Sequence, residues 1–327
     1  MDERKLPKNL LAAARYFADP DVCVAFVAAM RWPDGVTCPH CEGKKVSYLK
    51  TRRIWKCMAR ECHQQFSVKT FSVFEDSPIP LDKWLTAVWQ VVNCKNGVSS
   101  WEIHRALGVT QKTAWFMLHR IRLAMRSGSW TKLGGEGIPV EVDETFIGPK
   151  PQKMHRDKRL AMQTAANGRT KAVVMGMFDR DSRQVRAKVI PNAKREVLQR
   201  EIISEIEKGS TVYTDGWSGY DDLKAQDYVH ETVNHVKEYV RGQVHTQGME
   251  NFWSLLKRGL TGTYIAVEPF HLERYVDEQV FRYNNRATKD NPLTDLDRFA
   301  YAVSQIANKR LTYKELTGKD GARRETF

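Results

Sequence analysis

The sequence predicts a mixed α/β protein with its sheet in the C-terminal half and smaller modules ahead of it. Three observations predict this. Two close cysteine pairs lie among short strand-like runs within residues 33–76. Helical periodicity with capping signals fills residues 77–127. Beyond residue 138, the patterns run three strands, helix, strand, helix, strand, helix.

Each segment has a local reason. Within residues 1–32, Leu10, Leu11, Ala14, Phe17, Val22, Phe26 and Met30 recur near helical spacing. After Pro80, Trp84, Val88, Val91 and Val92 form one helical stripe. The run SGSWTKLGGEG at 127–137 concentrates glycine and serine and reads as a linker. Residues 138–147 alternate as a strand, with Val140 and Val142 on one face. Strands at 171–178 and 184–190 are joined by the turn DRDS, and the basic segment 150–169 reads as a mobile insertion. A helix at 193–208, a strand at 210–215, a helix at 220–225 and a strand at 228–233 follow. Two long helices run over 247–258 and 269–285. The sheet-bearing domain is expected to span 138–310, with a tail at 311–327.

Composition narrows the class. The 327 residues suffice for two or three domains, and 42% hydrophobic content suits a globular chain. Lys and Arg number 52 against 39 Asp and Glu, a formal net charge of +13 that favours a polyanionic partner through counterion release. No stretch approaches the ~20 apolar residues of a membrane span, and the charged N-terminus lacks a secretory pattern. A cytoplasmic location is expected, where six cysteines are not disulfides.

Four cysteines pair as Cys38 and Cys41 (CPHC) and Cys57 and Cys62 (CMAREC). Two such pairs can converge tetrahedrally on one Zn²⁺, and four thiolates leave no open position, so the ion is expected to be structural. His40 or His63 could replace one thiol. Cys23 and Cys94, in apolar helical contexts, read as small buried hydrophobes. Tyr48, Trp55, Lys44, Lys45, Arg52 and Arg53 lie among the ligands. They suit either contact with DNA backbone or, for the aromatics, a small ribbon core.

Residues 97–125 read as a helix-turn-helix. Ser99 or Ser100 caps the first helix, Gly108 supplies the turn and Thr110 caps the second. Ile103, Leu107, Val109, Ala114 and Leu118 fall where the two helices pack. Gln111, Lys112, Thr113 and Trp115 open the second helix, where recognition helices meet base edges; Arg120 and Arg122 are placed to hold phosphates. A helical hairpin used only for packing is the competing reading.

Three acids fall at particular places. Asp143 lies inside the first strand, where Asp is depleted. Asp215 ends the fourth, and Glu250 opens the helix MENFWSLLKRGL. The element order is that of the RNase H-like fold, a mixed sheet covered by helices, and on it the three acids point to one place. Converging carboxylates can hold two Mg²⁺ ions, or Mn²⁺, and so support in-line phosphoryl displacement. Lys257 shares the helix face of Glu250 two turns on and could hold phosphate. Asn251 is the alternative third oxygen ligand, while Glu144 should point to the other strand face. His245 could position substrate or water, or cap the helix. Glu278 and Arg282, spaced i, i+4, read as a helix ion pair or as an aid to a phosphate contact.

Together these blocks resemble the zinc-ribbon insertion-sequence transposases, prokaryotic members of the DDE superfamily that includes retroviral integrases. The resemblance runs from CPHC through VEVDETFIG, VYTDGWSGY and HTQGMENFWSLLKRGLTGTY to HLERYVDEQVFRYNNR. It implies binding to terminal inverted repeats, 3′-end cleavage by water and attack of the freed 3′-OH on target DNA. It also implies Asp143, Asp215 and Glu250 as metal ligands with Lys257 as the basic residue of the triad's helix; pairing two DNA ends suggests at least a dimer on DNA. Two other classes remain: a DNA-binding regulator, and an RNase H-like nuclease or resolvase without strand transfer.

Overall fold

The computed structural model describes residues 6–126, 128, 131–148, 156–157, 171–221, 223–233, 245–289 and 291–319. The insertion at 150–169 lies outside the described residues, apart from Arg156 and Asp157. Two compact units emerge, Met1–Ser127 with Asn285–Arg323, and Gly128–Asn284.

The first unit opens with α1 (Leu10–Tyr16) and α2 (Pro20–Arg31). The single helical stretch expected there breaks because Asp19 caps Asp21 N–H and Pro20 occupies the first turn. A three-stranded antiparallel sheet follows, from β1 (Val46–Leu49), β2 (Ile54–Cys57) and β3 (Gln65–Phe66). Then come α3 (Leu81–Asn93), α4 (Ser100–Leu107) and α5 (Gln111–Met125).

The second unit is a five-stranded sheet with helices on both faces. Its elements are β4 (Pro139–Ile147), β5 (Ala172–Asp179), β6 (Val185–Ile190), α6 (Arg195–Glu205), β7 (Thr211–Asp215), β8 (Val229–Val233), α7 (Gln247–Gly259) and α8 (Pro269–Asn284). The sheet order is β6-β5-β4-β7-β8, antiparallel from β6 to β4 and parallel from β4 to β8. This is the mixed, RNase H-like arrangement expected. Strand alternation divides the core in two. Val140, Val142, Met175 and Val212 pack with Leu198 and Ile202 of α6, while Val174, Phe178 and Val185 pack with Phe252, Trp253 and Val276 of α7 and α8.

Three sequence expectations need correction. The glycine-rich run is already part of this unit at Leu133, which is buried and exchanges backbone hydrogen bonds with Glu205 and Glu207 at 2.8 Å each. Gly134 there has φ +79°, and a Cβ would fall 2.3 Å from Ser210 Oγ, so tight packing explains this glycine better than linker freedom does. Among the described residues of 220–225 there is no α-helix; two 3₁₀ turns, Ser218–Tyr220 and Leu223–Gln226, stand there. The sheet-bearing unit ends at Asn284 and not at 310. Beyond it, α9 (Asp295–Ser304) and α10 (Tyr313–Leu316) return to the first unit. Phe299 of α9 lies 5.0–5.5 Å, ring to ring, from Phe17, Phe26 and Trp89, and Phe116 of α5 meets Tyr313 of α10 at 5.6 Å. Burying these rings fixes where the segment packs.

Candidate functional site

The acids of the sheet unit are placed by strand alternation and helix docking. Along β4, Glu141 and Asp143 face α7 and Glu144 faces the α6 side, the side predicted for it. Trp253 Nε1 of α7 donates to Asp143 Oδ2 at 2.9 Å, and Glu144 N–H donates to Asp143 Oδ1 at 2.9 Å. Tyr220, fully buried, donates its hydroxyl to Glu144. β7 runs parallel beside β4, with Glu141 opposite Tyr213, so Asp215 ends its strand alongside Asp143. Asp215 Oδ1 accepts Trp217 N–H at 3.1 Å, and the Trp217 side chain stands half-exposed. Glu250 lies exposed in the first turn of α7.

The acids sense one another. Burial pushes the Asp143 carboxyl up to about 6, with the charges of Asp215 and Glu250 adding to it and the Trp253 hydrogen bond opposing. Burial likewise raises Glu144 to about 7, with Asp215 and Asp143 contributing and the Tyr220 hydrogen bond opposing. Glu144, set aside on sequence grounds, is therefore an electrostatic member of the group. Carboxylates with raised pKa stabilise the fold below their ordinary range and lose that contribution as pH rises through about 6 to 7. The metal-free protein should therefore be less stable at pH 8 than at pH 5.5, by on the order of 2 kcal/mol after allowance for solvent screening, and melt at a lower temperature. Glu144→Gln should flatten part of that slope. A pH-melting profile identical in wild type and Glu144→Gln would contradict this account.

Close approach of α7 depends on a glycine. Gly176 of β5 lies opposite Asp143, and a Cβ there would stand 2.1 Å from Met249 Cε and 2.8 Å from the Trp253 ring. Gly176→Ala should displace Trp253 from Asp143 and cost ~1–3 kcal/mol by overpacking. Thermal melting would check the cost, and an unchanged transition would refute the packing argument.

The remaining predicted residues divide. Lys257 is exposed in the last turn of α7, and Asn251 is exposed beside Glu250. His245 places its Nδ1 2.8 Å from Arg180 Nη2 and 3.4 Å from the N–H of Gln247 at the start of α7. The phosphate-contact reading of Glu278 and Arg282 is corrected by burial. They form an ion pair inside α8, with Tyr264 also donating to Glu278, and side-chain exposures of 0% and 7% keep DNA away.

In the first unit, Sγ atoms of Cys38, Cys41, Cys57 and Cys62 all lie within 4.8 Å of one another. Cys38 and Cys62 are 3.7 Å apart and Cys41 and Cys57 are 3.6 Å apart. Tetrahedral Zn–S bonds of ~2.3 Å separate the sulfurs by about 3.8 Å, so the cluster fits one structural zinc. All four corners are thiols, so neither His40 nor His63 is needed. Among the described residues this is the one such group of three or more His, Cys, Asp or Glu. Asp143, Asp215 and Glu250 form no such cluster: their carboxylate oxygens do not all lie within 4.8 Å of one another. Trp55 and Phe66 stack as the buried rings of the ribbon core, with Trp32 edge-on to Trp55, whereas Tyr48, 4.8 Å from Trp55, is 42% exposed, and Lys44, Lys45, Arg52 and Arg53 are exposed too. Cys23 is buried as expected, its thiol donating to Phe17 O; Cys94 is exposed at the end of α3, contrary to expectation.

The helix-turn-helix capping is as read. Ser99 and Glu102 form a reciprocal capping box, Gly108 adopts φ +61° and Thr110 caps α5. At the start of α5, Lys112 is exposed and lies 4.6 Å over the Tyr313 ring; Gln111, Thr113 and Trp115 are half-buried. Gln111 also donates to Ser100 Oγ at 2.8 Å. The expectation that Arg120 and Arg122 hold phosphates fails. Their exposures are 5% and 1%, and Arg120 donates to Leu311 O and Glu75 O. Burial by the returning C-terminal segment turns Arg120 inward. Among the described residues, no helix is long and apolar enough to cross a membrane.

Comparison with known proteins agrees with these two modules. Residues 132–284 match the model of the ISXO2-like transposase domain, and residues 19–65 match the transposase zinc-ribbon domain. A protein in the transposable element ISH50 of Halobacterium salinarum is 30% identical over 246 residues, covering 72% of this chain and 81% of its own. A transposase-like protein of Haemophilus influenzae is 31% identical over 101 residues, covering 31% of this chain and 81% of its own. A chain from the cryo-EM structure of the simian T-cell lymphotropic virus intasome with PP2A regulatory subunit B56 gamma shares 15% identity at a TM-score of 0.29, over 63% of this chain and 68% of that one. That overlap is too loose to bear on the argument. With its ribbon, its sheet domain and most of its length matched in this way, the chain belongs to the ISXO2-like transposase family.

Proposed function

We propose that this transposase is of the DDE type, binding the terminal inverted repeats of its element, cutting at the 3′ ends and joining them to target DNA. The observation that carries the reading is the position of Asp143 and Asp215 on adjacent parallel strands, with Glu250 close enough to raise the proton affinity of Asp143. Asp143, Asp215 and Glu250 would hold two Mg²⁺ or Mn²⁺ ions, with Asn251 as the alternative to Glu250. Such ions supply Lewis-acid stabilisation of the attacking and leaving oxygens.

The chain's own groups do the rest. Trp253 orients Asp143 through the indole N–H and shields it from bulk water. Lys257, exposed two turns from Glu250, would hold a phosphate of the bound strand. The exposed start of α5 around Lys112, with Gln111, Thr113 and Trp115, would read the repeat, and the basic ribbon surface would follow its backbone. Zinc stays structural. Pairing two ends requires at least two subunits on DNA.

The test is incubation of precleaved repeat ends with target DNA and Mg²⁺. Joined products are expected. Cleavage without joining would favour a nuclease or resolvase, and specific binding without either reaction would favour a regulator.

A further inference from the structure

Two residues before Asp143, and on the same face of β4, lies a second carboxylate that the preceding account does not use. The Glu141 side chain is 1% exposed, so its charge must be met inside the protein. Arg180 Nε meets Oε1 at 2.7 Å, and the backbone N–H of Met249 donates to Oε2 at 3.0 Å. The Arg180 Nη2 group reaches onward to His245, 2.6 Å from its carbonyl oxygen and 2.8 Å from Nδ1. The guanidinium rests 4.6 Å over the Tyr213 ring, and His245 Nδ1 is 3.6 Å from Glu141 Oε1.

These contacts converge on the beginning of α7. Its N-cap residue, Thr246, makes no side-chain capping hydrogen bond. Glu141 supplies that function from across the sheet, accepting the N–H of the residue immediately before Glu250. Gly248 permits the approach, since a Cβ there would lie 2.9 Å from Glu141 Oε2 and 2.3 Å from Phe178 Cδ1.

A buried ion pair is a weak way to gain stability, because apolar residues of similar volume often hold as well. What it supplies is direction. An Arg fork and a carboxylate constrain the rotation and axial position of a helix end in a way that apolar contact does not. Ligands of a metal site need placement to within about 0.5 Å.

We propose that Glu141, Arg180 and His245 are positioning residues that lock the first turn of α7 to β4 and so set Glu250 relative to Asp143. This rests on the reading of the acids as a divalent-cation site. Glu141 would bind no metal itself; it acts through the helix.

The test is Mn²⁺ binding to the metal-free full-length chain, followed by the electron paramagnetic resonance signal of free Mn²⁺, with thermal melting in parallel. Glu141→Gln keeps an acceptor for Met249 N–H and removes the charge facing Arg180. Its Mn²⁺ affinity should fall about tenfold, as for the loss of other groups that orient ligands. Its metal-free form should still melt in one cooperative transition, lowered because the charge facing Arg180 is lost. Arg180→Lys keeps the charge but loses the fork, and should weaken Mn²⁺ similarly. This second variant carries the test if Glu141→Gln fails to fold. Wild-type Mn²⁺ affinity in both variants would overturn the proposal while leaving the acid site intact. Equal binding by wild type and Asp143→Asn would instead overturn the acid site, and this proposal with it.

Discussion

Asp143→Ala is expected to abolish both end cleavage and end joining while leaving binding to the terminal repeats intact. The effect should be large because Asp143 is the inner member of the group. It is placed by β4, oriented by Trp253 and in electrostatic contact with both Asp215 and Glu250. If Asp143 holds a catalytic cation as proposed, its loss would remove several kcal/mol of transition-state stabilisation. At ~1.4 kcal/mol per decade, that is about a thousandfold in rate. Binding should survive because the exposed start of α5 and the basic ribbon surface belong to the other compact unit. Gel-shift and cleavage assays on the same preparation separate the two outcomes. Turnover near that of wild type would remove Asp143 from the metal site.

Removal of zinc is expected to have the second largest effect, and the reverse pattern. The ribbon has little else to hold it: short strands, with Trp55 and Phe66 as its buried rings. Structural zinc contributes ~10–16 kcal/mol of apparent binding free energy to small domains of this kind. A strong chelator, or Cys57→Ser, should therefore unfold the ribbon, changing the fluorescence of the Trp32 and Trp55 pair. Specific end binding should weaken before the sheet unit loses its melting transition. Unchanged end binding after complete zinc loss would mean that the ribbon is not a recognition element.

How far the sequence disclosed this depended on whether the cause was local. The strand β4 follows from alternation and β5 from an unbroken apolar run ahead of the turn DRDS, and the caps at Ser99, Gly108 and Thr110 from side-chain chemistry close by in the chain. The four thiols were legible for the same reason, since paired spacing limits where they can reach. The errors have non-local causes. The run around Leu133 has linker composition, yet Leu133 is held by Glu205 and Glu207, more than seventy positions on. Arg120 and Arg122 look like surface cations on a helix, but Arg120 is turned inward to carbonyls at Glu75 and Leu311. Nothing in the periodicity of α9 says that Phe299 will pack beside Phe17. Glu141 is a different kind of omission. Alternation in VEVDE places it on the face of Asp143, so the signal was present; its partner Arg180 comes from another strand end and could not be read.

The central claim is that Asp143, Asp215 and Glu250 together hold divalent cations. Fe²⁺ can take the place of Mg²⁺ at carboxylate sites, and with ascorbate and peroxide it releases hydroxyl radicals that cut the polypeptide beside the bound ion. The account predicts cuts clustered near residues 143, 215 and 250, suppressed by excess Mg²⁺ and absent in Asp143→Asn. Cuts confined to other parts of the chain, or a pattern unchanged in Asp143→Asn, would contradict it.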